Sequence, residues 1–457
     1  MAITIPQVAA ALQQVLGPVA DAAARASGFT QRASKLTGAR FVQTLVFGWL
    51  GRPAAGLERL SQTAARLGVV ITGQGLDDRF TPTAAACLEQ VLAAAVQTVL
   101  AAQPRAIPLL QRFGGGVWVQ DSTAISLPPA LAERWPGCGG SAGPTGALKL
   151  QVRYDLLRGT LDGPLLQPGR AQDRTSPHQT APLPREALRL TDLGFFCLAE
   201  LRRRTEEGSF WLTRLQAGTA LFTADGRRWA LLVLLTARDQ ARLDEPVELG
   251  VAERLPARLL AGRVPQEVAD QRRRRLRAAA RKKGQTVSRQ RLALCDWTVL
   301  VTNVPPERLT LREALVLARA RWQIELLFKL WKSHHLVDEW RSTNPWRILC
   351  EVYAKLIGVI VHHWLRLVGG WHYPDHSLTK AALTIQEHMA ALTAAFRQGD
   401  AARLAAVLED IAYDLAGACR LTQRRTRPST YHLLLALSEV EELDDRGPGQ
   451  PELAQAA

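Results

Sequence analysis

The feature that most constrains the fold is the order of short periodic runs that begins at Gly114. VWVQDSTAISLP alternates apolar and polar residues, the two-residue period of a strand with one buried face. A glycine-rich loop with Gly137, Gly139, Gly140 and Gly143 separates it from ALKLQVRYDLLRG, a second alternating run. The Pro- and Gly-rich residues from Gly163 to Pro184 read as a loop. After them EALRLTDLGFF gives a strand ending near Asp192, CLAELRRRTEEG a helix, and SFWLTRL another strand. Strands and helices interleaved in this way predict an α/β fold with a mixed or parallel sheet covered by helices.

The flanks differ. The first hundred or so residues are rich in alanine and leucine, are broken at glycines, and show no period-two alternation, so they predict helices. Within them LERLSQTAARLG, an apolar turn Val69 to Thr72, and GQGLDDRF resemble a helix-turn-helix; two packed helices joined by a turn give the same pattern. From about Thr219 to Asn303, RRWALLVLLTARD and DWTVLVTNV read as strands at the two ends of a segment with a basic middle. A long helix is expected from Thr310 towards His334, and residues from about Pro345 read as helical, with an acidic tail after Glu439. No internal repeat and no Walker or dinucleotide glycine motif is present.

Charge narrows the partner. Lys+Arg 57 against Asp+Glu 42 gives a net charge of +15, and 47% hydrophobic residues exclude disorder as its explanation, so a polyanion is expected, with nucleic acid first. Only eight of the cations are lysine; arginine suits bidentate phosphate contacts, although a GC-rich coding sequence produces the same bias. Between Gln271 and Arg291 lie ten cations and no acid, among them Arg272, Arg273, Arg274, Arg275, Lys282 and Lys283. No core buries such a run unpaired, so it is either a solvated helix or a phosphate-binding surface. Six dispersed cysteines without a CxxC pair indicate neither a disulfide framework nor structural zinc, and a reducing cytoplasm is expected. The N-terminus lacks the basic start of a signal peptide, and the apolar run Leu356 to Leu367 is too short to span a bilayer, so no membrane is expected.

The chemistry concentrates in RARWQIELLFKLWKS, Arg319 to Ser333. At 100° per residue Glu325 lies about 40° round from Arg321 and Lys332 about −20° from Glu325, so all three share one helix face. An intrahelical Arg–Glu pair at a solvent face has the same spacing. Two aspartates at strands weigh against that reading. Asp121 interrupts the sheet formers of VQDSTAI, and Asp192 closes a later strand, where an acid can also serve as a cap. Three carboxylates around a mixed sheet are what divalent-metal phosphoryl transfer requires.

VQDST, TDLGFF and RWQIELLFKLWKS together resemble the DDE transposases of bacterial insertion sequences, specifically the insertion sequence 4 family, whose third acid sits in a Tyr-x2-Arg-x3-Glu-x6-Lys signature. Arg321, Glu325 and Lys332 match; the tyrosine position holds Ala318. FTQRASKLTGARFVQTLVFGWL, LDDRFTP and RLALCDWTVLVTNVP extend the likeness. The resemblance implies a ribonuclease-H-like catalytic core interrupted by a mostly β insertion and flanked by helical regions. Its expected divisions are 1–110, a helical DNA-binding region; 111–218, the first part of the core; 219–304, the insertion with the basic segment; 305–375, the second part of the core with the catalytic helix; and 376–457, a helical region with the acidic tail. It further implies that Asp121, Asp192 and Glu325 are catalytic and ligate two Mg²⁺ ions, with Mn²⁺ as a substitute. Arg321 and Lys332 would hold phosphates, and the partners would be double-stranded DNA, as terminal inverted repeats and target, and a second copy of the chain.

Some residues compete for these roles. Asp155, Asp162 and Asp173 lie between the first two acids. His334 and His335 follow Lys332 and are expected to be helix-end cations, because adjacent helical residues point about 100° apart. The tryptophans, among them Trp118, Trp211, Trp297, Trp322, Trp331 and Trp346, are expected mostly in the core, with Trp229 or Trp297 as candidates for stacking on an extruded base.

Overall fold

Ten strands join in one sheet among the residues that the computed structural model describes, which are 3–32, 34–139, 143–421 and 428–444, with side chains only to 437 in the last segment. Gly140 and the acidic side chains from Glu439 onward lie outside the described residues. The strands are β1 (Val117–Leu127), β2 (Gly146–Asp155), β3 (Leu161–Pro168), β4 (Leu188–Thr191), β5 (Phe210–Arg214), β6 (Leu221–Thr223), β7 (Arg228–Trp229), β8 (Arg242–Leu249), β9 (Leu255–Arg263) and β10 (Trp297–Thr302). Their order is β3-β2-β1-β4-β5-β10-β9-β8-β6-β7. β1 pairs parallel with β4, and β4 with β5; every other neighbouring pair is antiparallel. The alternating runs become β1 and β2 for the reason their period suggested: Val117, Val119, Ile125, Leu148, Leu150 and Val152 all lie in the core. Before β1 the chain turns through Gly116, at φ 95°, where an added Cβ would lie 2.8 Å from the Asp155 carboxylate.

The helices run in three groups. Ahead of the sheet come α1 (Ile5–Gln14), α2 (Ala20–Ala26), α3 (Gly38–Gly51), α4 (Leu57–Arg66), α5 (Gly73–Asp77), α6 (Pro82–Gln97) and α7 (Pro108–Gln111). Among the strands lie α8 (Pro177–Thr180), α9 (Leu198–Glu206), α10 (Leu231–Ala237), α11 (Gln266–Lys282) and α12 (Arg289–Ala293). After β10 follow α13 (Leu311–Ala320), α14 (Gln323–Ser333), α15 (Pro345–Gly369), α16 (Leu378–Gln398), α17 (Ala401–Ala418) and α18 (Thr430–Asp444). The first and last groups interleave, with α3, α6 and α17 packing on α15. One large apolar core joins both groups to β1, β2 and β4, and a second gathers Trp211, Leu221, Leu234, Leu249, Leu259 and Val301 on the far half of the sheet.

Four sequence expectations need correction. The stretch Gly163 to Pro184 is not all loop, for Leu161–Pro168 is β3. It is the outermost strand, where Pro164 and Pro168 remove no ladder bond the sheet depends on. RRWALLVLLTARD contributes only the two-residue β7 before turning into α10, because four leucines with alanine favour helix despite Val233 and Thr236, and a short apolar run has no diagnostic period. The segment 219–304 thus carries α10, α11 and α12 as well as strands, and β10 binds it to β5. The helix from Thr310 is two helices: a capping box of Thr310 and Glu313 starts α13, which ends at Arg321, and α14 starts after Trp322. Between them the backbone tightens, Ile324 and Glu325 donating to the carbonyls of Arg321 and Trp322 three residues back. Finally, Leu356–Leu367 belongs to the 25-residue α15, which is long and apolar enough to cross a membrane, but its most apolar stretch is buried within the protein.

Candidate active site

Asp121 and Asp192 are placed side by side by the parallel pairing of β1 and β4. The last pair in their register is Gln120 with Thr191, so the two aspartates are the next residue on each strand, where the strands part. Asp121 accepts a 2.8 Å bond from the amide of Ser122. Asp192 leaves the strand in an extended conformation and caps a short turn, accepting from Leu193 at 2.8 Å. Its aspartate therefore does cap, as the sequence allowed, while its position at the strand end is fixed by the sheet.

α14 brings the third acid. Its buried face, Ile324, Leu327, Phe328 and Trp331, packs on the sheet against β1 and points Glu325 towards the strand end. Arg321, at the break between α13 and α14, joins the two parts. Its guanidinium donates to Asp121 Oδ2 at 2.8 Å and to Glu325 Oε1 at 2.6 Å. Asp192 is the third carboxylate that acts on it: burial lowers the Arg321 pKa, but Asp192, Asp121 and Glu325 outweigh burial and hold it above the ordinary arginine range. For Asp121 burial raises the pKa, opposed by the Ser122 amide and Arg321 and reinforced by the nearby charges of Glu325 and Asp192; the net direction is upward. Three carboxylates from segments far apart in sequence thus surround one cationic group. Among the described residues no three His, Cys, Asp or Glu side chains stand close enough to hold a metal ion, and at this site the guanidinium is what lies between them. The donor set itself, all carboxylate oxygen, is the set that suits a hard divalent cation.

The neighbours sort the competing residues. Asp173 is the one of the three alternative acids that reaches the site: Ser122 Oγ donates to it at 2.7 Å, and Lys149 Nζ lies 3.2 Å away. Asp155 is buried and accepts from the amides of Val117, Leu157 and Arg158, and Asp162 pairs with Arg153; both are structural. Lys332 shares the sheet-facing side of α14 but stands apart from the acids, donating to the Ala124 carbonyl on β1 at 2.8 Å. Ala318, at the position of the signature tyrosine, packs partly buried against the core.

Three expectations change. Trp322 is not core: it is 54% exposed, at the break beside Arg321, and offers a flat apolar face next to the carboxylates. Trp211, Trp297 and Trp331 are buried as expected. His335 is not a helix-end cation but is buried against His362, and burial first, then His334, lowers its pKa to about 4, so it is neutral. The basic run divides by face. Arg272 turns inward to the Trp297 carbonyl and Thr298 Oγ1, and Arg273 to Asp270, Asp296 and the Leu292 carbonyl, so both anchor α11 to the end of β10. Arg274, Arg275, Lys282 and Lys283 are exposed.

Residues 113–360, more than half of the chain and including Asp121, Asp192, Arg321, Glu325 and Lys332, match the family described as the transposase DDE domain. The chain is 27% identical over 406 residues to the transposase for insertion sequence element IS231C of Bacillus thuringiensis subsp. berliner, a match spanning 82% of this chain and 84% of the relative. It is 25% identical over 366 residues to the transposase for insertion sequence element IS1151 of Clostridium perfringens, spanning 74% and 76%. Over 251 residues, 53% of this chain and 63% of the relative, it is 27% identical to the putative transposase InsL for insertion sequence element IS186A of Escherichia coli (strain K12).

Proposed function

The chain belongs to the transposase DDE domain family, and from that premise we propose that it cleaves DNA at the ends of an insertion sequence and joins those ends to target DNA. The observation that carries this reading is the gathering of Asp121, Asp192 and Glu325 around one guanidinium. The strand order β3-β2-β1-β4-β5, with two antiparallel pairings followed by two parallel ones, supports a ribonuclease-H-like core beneath the site. The same three carboxylates would hold two divalent ions, Mg²⁺ or Mn²⁺ in its place, and the ions would supply activation of the attacking oxygen and neutralisation of charge on the phosphate.

The residues of the chain do the rest. Arg321 bonds Asp121 and Glu325 here, and with those carboxylates holding a cation its guanidinium would be free for a bidentate contact with a phosphate of the bound strand. Lys332 lies on the same sheet-facing side of α14 and meets a second phosphate. Trp322 stacks on a base next to the cleaved bond. Water attacks the phosphorus at the element's end, the bond to the 3′ oxygen breaks, and a 3′-hydroxyl and a 5′-phosphate result. That hydroxyl attacks a phosphodiester of the target in turn, a new bond from the element's 3′ oxygen to that phosphorus replacing the bond to the target's own 3′ oxygen, which leaves as a hydroxyl, so no covalent protein intermediate forms. Two ends must meet, so the working unit contains two copies of the chain.

The test is incubation of the full chain with Mg²⁺ and a duplex carrying the element's ends. The expected products are a free 3′-hydroxyl at the end and, with a pre-nicked end, a joined product. Absence of nicking with intact binding would make this a DNA-binding protein of the same fold, and nicking without joining a nuclease.

The exposed part of α11 is expected to supply sequence-independent affinity. Replacing Arg274 and Arg275 by alanine weakens binding to every duplex and lowers the slope of log K against log salt by about one per cation removed. Arg272→Ala has the opposite profile, leaving the salt slope alone and costing about 1–3 kcal/mol of stability through its lost hydrogen bonds. Equal slopes in all variants would return the exposed face to the solvent.

A further inference from the structure

The two helices of the pair near the N-terminus, α4 and α5, differ in the charge they turn outward. α5 is only five residues long, and its outward groups are acidic or already engaged: Asp77 pairs with Arg347 at 3.0 Å, and Asp78 accepts from Gln74 at 2.9 Å. A carboxylate-bearing turn of that length does not enter a groove lined by phosphates. α4 has the reverse character. Leu60, Ser61, Thr63 and Ala64 bury one side of it, packed against α3. On the other side, taking Arg59 as zero, Gln62 lies at about −60° and Arg66 at about −20°, so the three form a single row. Arg59 is half-buried, while Gln62 and Arg66 are exposed. The Nη1 of Arg59 donates to the Gln62 amide oxygen at 2.9 Å, which orients both.

The surroundings are positive. Arg52, at the end of α3, is exposed, and Arg397 of α16 reaches to within 3.8 Å of where a Cβ on Gly68 would stand. Glu58, the acid nearest in sequence, turns away to the start of α5, its Oε1 3.1 Å from the corresponding point at Gly73. No ion pair links Arg52, Arg59, Arg66 or Arg397 to a carboxylate among the described residues. The Arg59 guanidinium is held below the ordinary arginine range, first by desolvation and then by the like charges of Arg52 and Arg66. Four cations without a carboxylate partner among the described residues, with the Gln62 amide beside them, suit a polyanion.

We propose that the outer face of α4 enters the major groove of the element's terminal DNA, where Arg59, Gln62 and Arg66 read base edges while Arg52 and Arg397 hold the flanking phosphates. This rests on the reading of the chain as an enzyme acting on specific DNA ends, and it names the surface that supplies the specificity. An α-helix, about 10–12 Å across with its side chains, fits the major groove, about 12 Å wide. Arginine pairs bidentately with guanine O6 and N7, and glutamine with adenine N6 and N7. Arg59 and Arg66 are separated by about 10 Å along the axis, so the bases read fall within about four consecutive pairs, with guanines at the ends and an adenine between.

The test is equilibrium binding of the full chain, in chelator so that no cleavage intervenes, to duplexes tiled from the DNA that flanks the coding sequence on each side and to scrambled duplexes of equal composition. Arg59→Ala, Gln62→Ala and Arg66→Ala should each lose about tenfold or more in affinity for the end duplex. Gln62→Ala carries no charge change, so its affinity for scrambled DNA should stay within about twofold of the parent, and its loss is then one of base reading. Unchanged melting temperatures confirm that these surface changes leave the fold intact. Parallel losses on both duplexes for the two arginine variants, with Gln62→Ala silent, would overturn base reading in favour of phosphate contact alone. No change in any variant would overturn the interface while leaving the transposase reading in place. Failure of the parent chain itself to prefer end DNA would overturn that reading and this inference together.

Discussion

Glu325→Gln is expected to abolish Mg²⁺-dependent nicking of end DNA while leaving binding and stability almost unchanged. Glutamine keeps the shape of the side chain and an oxygen that Arg321 can still reach, but it removes one of three negative charges from the cluster around that guanidinium. Glu325 is about a third exposed, so the fold should tolerate the change within about 0.5 kcal/mol. The chemistry should not. Removing one preorganised group aimed at developing charge costs about 10²–10³ in rate, and loss of a carboxylate that would help to hold the ions should reach at least the upper end of that range. Asp121→Asn and Asp192→Asn should match it. Asp173→Asn offers the contrast: its charge is already matched by Lys149 and its oxygen satisfied by Ser122, so its rate should fall far less. If Glu325→Gln retained activity within tenfold of the parent, or if Asp173→Asn fell as far as the three, the assignment of the site would be wrong.

The contrast shows where sequence reasoning was sufficient. A strand with one buried face leaves a period-two trace, so β1 and β2 could be read directly, and the acid inside VQDSTAI stood out because propensity disfavours it there. The spacing of Arg321, Glu325 and Lys332 depends only on helix geometry, and it survives the break at Trp322 because Arg321 and Glu325 still bond across it. What spacing does not reveal is the partner on another element. That Arg321 also binds Asp121, 200 residues away, follows from the sheet register and from the packing of α14 on β1. β3 was hidden because proline is a strand breaker everywhere except an edge, and edge position is a property of the assembled sheet. In the basic run, ten cations in sequence are alike, but helix α11 turns Arg272 to β10, Arg273 to the Leu292 carbonyl and Asp296 just before it, and Arg274 and Arg275 to solvent. His335 was misread for a similar reason: adjacency to His334 marked it as a helix-end charge, whereas its side chain is enclosed by α15.

That enclosure has a consequence for acid stability. His335, His362, His363 and His376 are all buried, and the charged groups facing them are cationic, chiefly Arg366 with Arg105 and Arg420. Burial is the first cause in every case, lowering the pKa to about 4 for His335 and His376, to about 3 for His363, and well below the ordinary value for His362. In the unfolded chain each ring titrates near 6.5. The folded state therefore binds fewer protons below that pH, so the stability these rings leave intact at neutral pH is lost as the pH falls from about 6.5 towards 4. Asp155 works in the opposite direction, since burial pushes its carboxyl up to about 6 and the folded state takes up that proton first. Asp121 and Glu351, which burial also raises, act the same way, while His178, lowered to about 4 chiefly by burial, adds a fifth ring to the other side. At pH 5 a ring held near 4 costs about 2 kcal/mol and Asp155 returns roughly 1, so the buried rings outweigh the buried carboxyls. The urea midpoint should accordingly fall steeply between pH 6.5 and 5, and His362→Leu should make that fall shallower by removing one proton taken up on unfolding. A midpoint flat over this range would show that the rings are charged or solvated in the native state. Because His335 follows α14 directly and its amide donates to Leu330, acid would loosen the end of the helix that positions Glu325. Nicking should therefore decline over the same window, and restoring neutral pH should recover it.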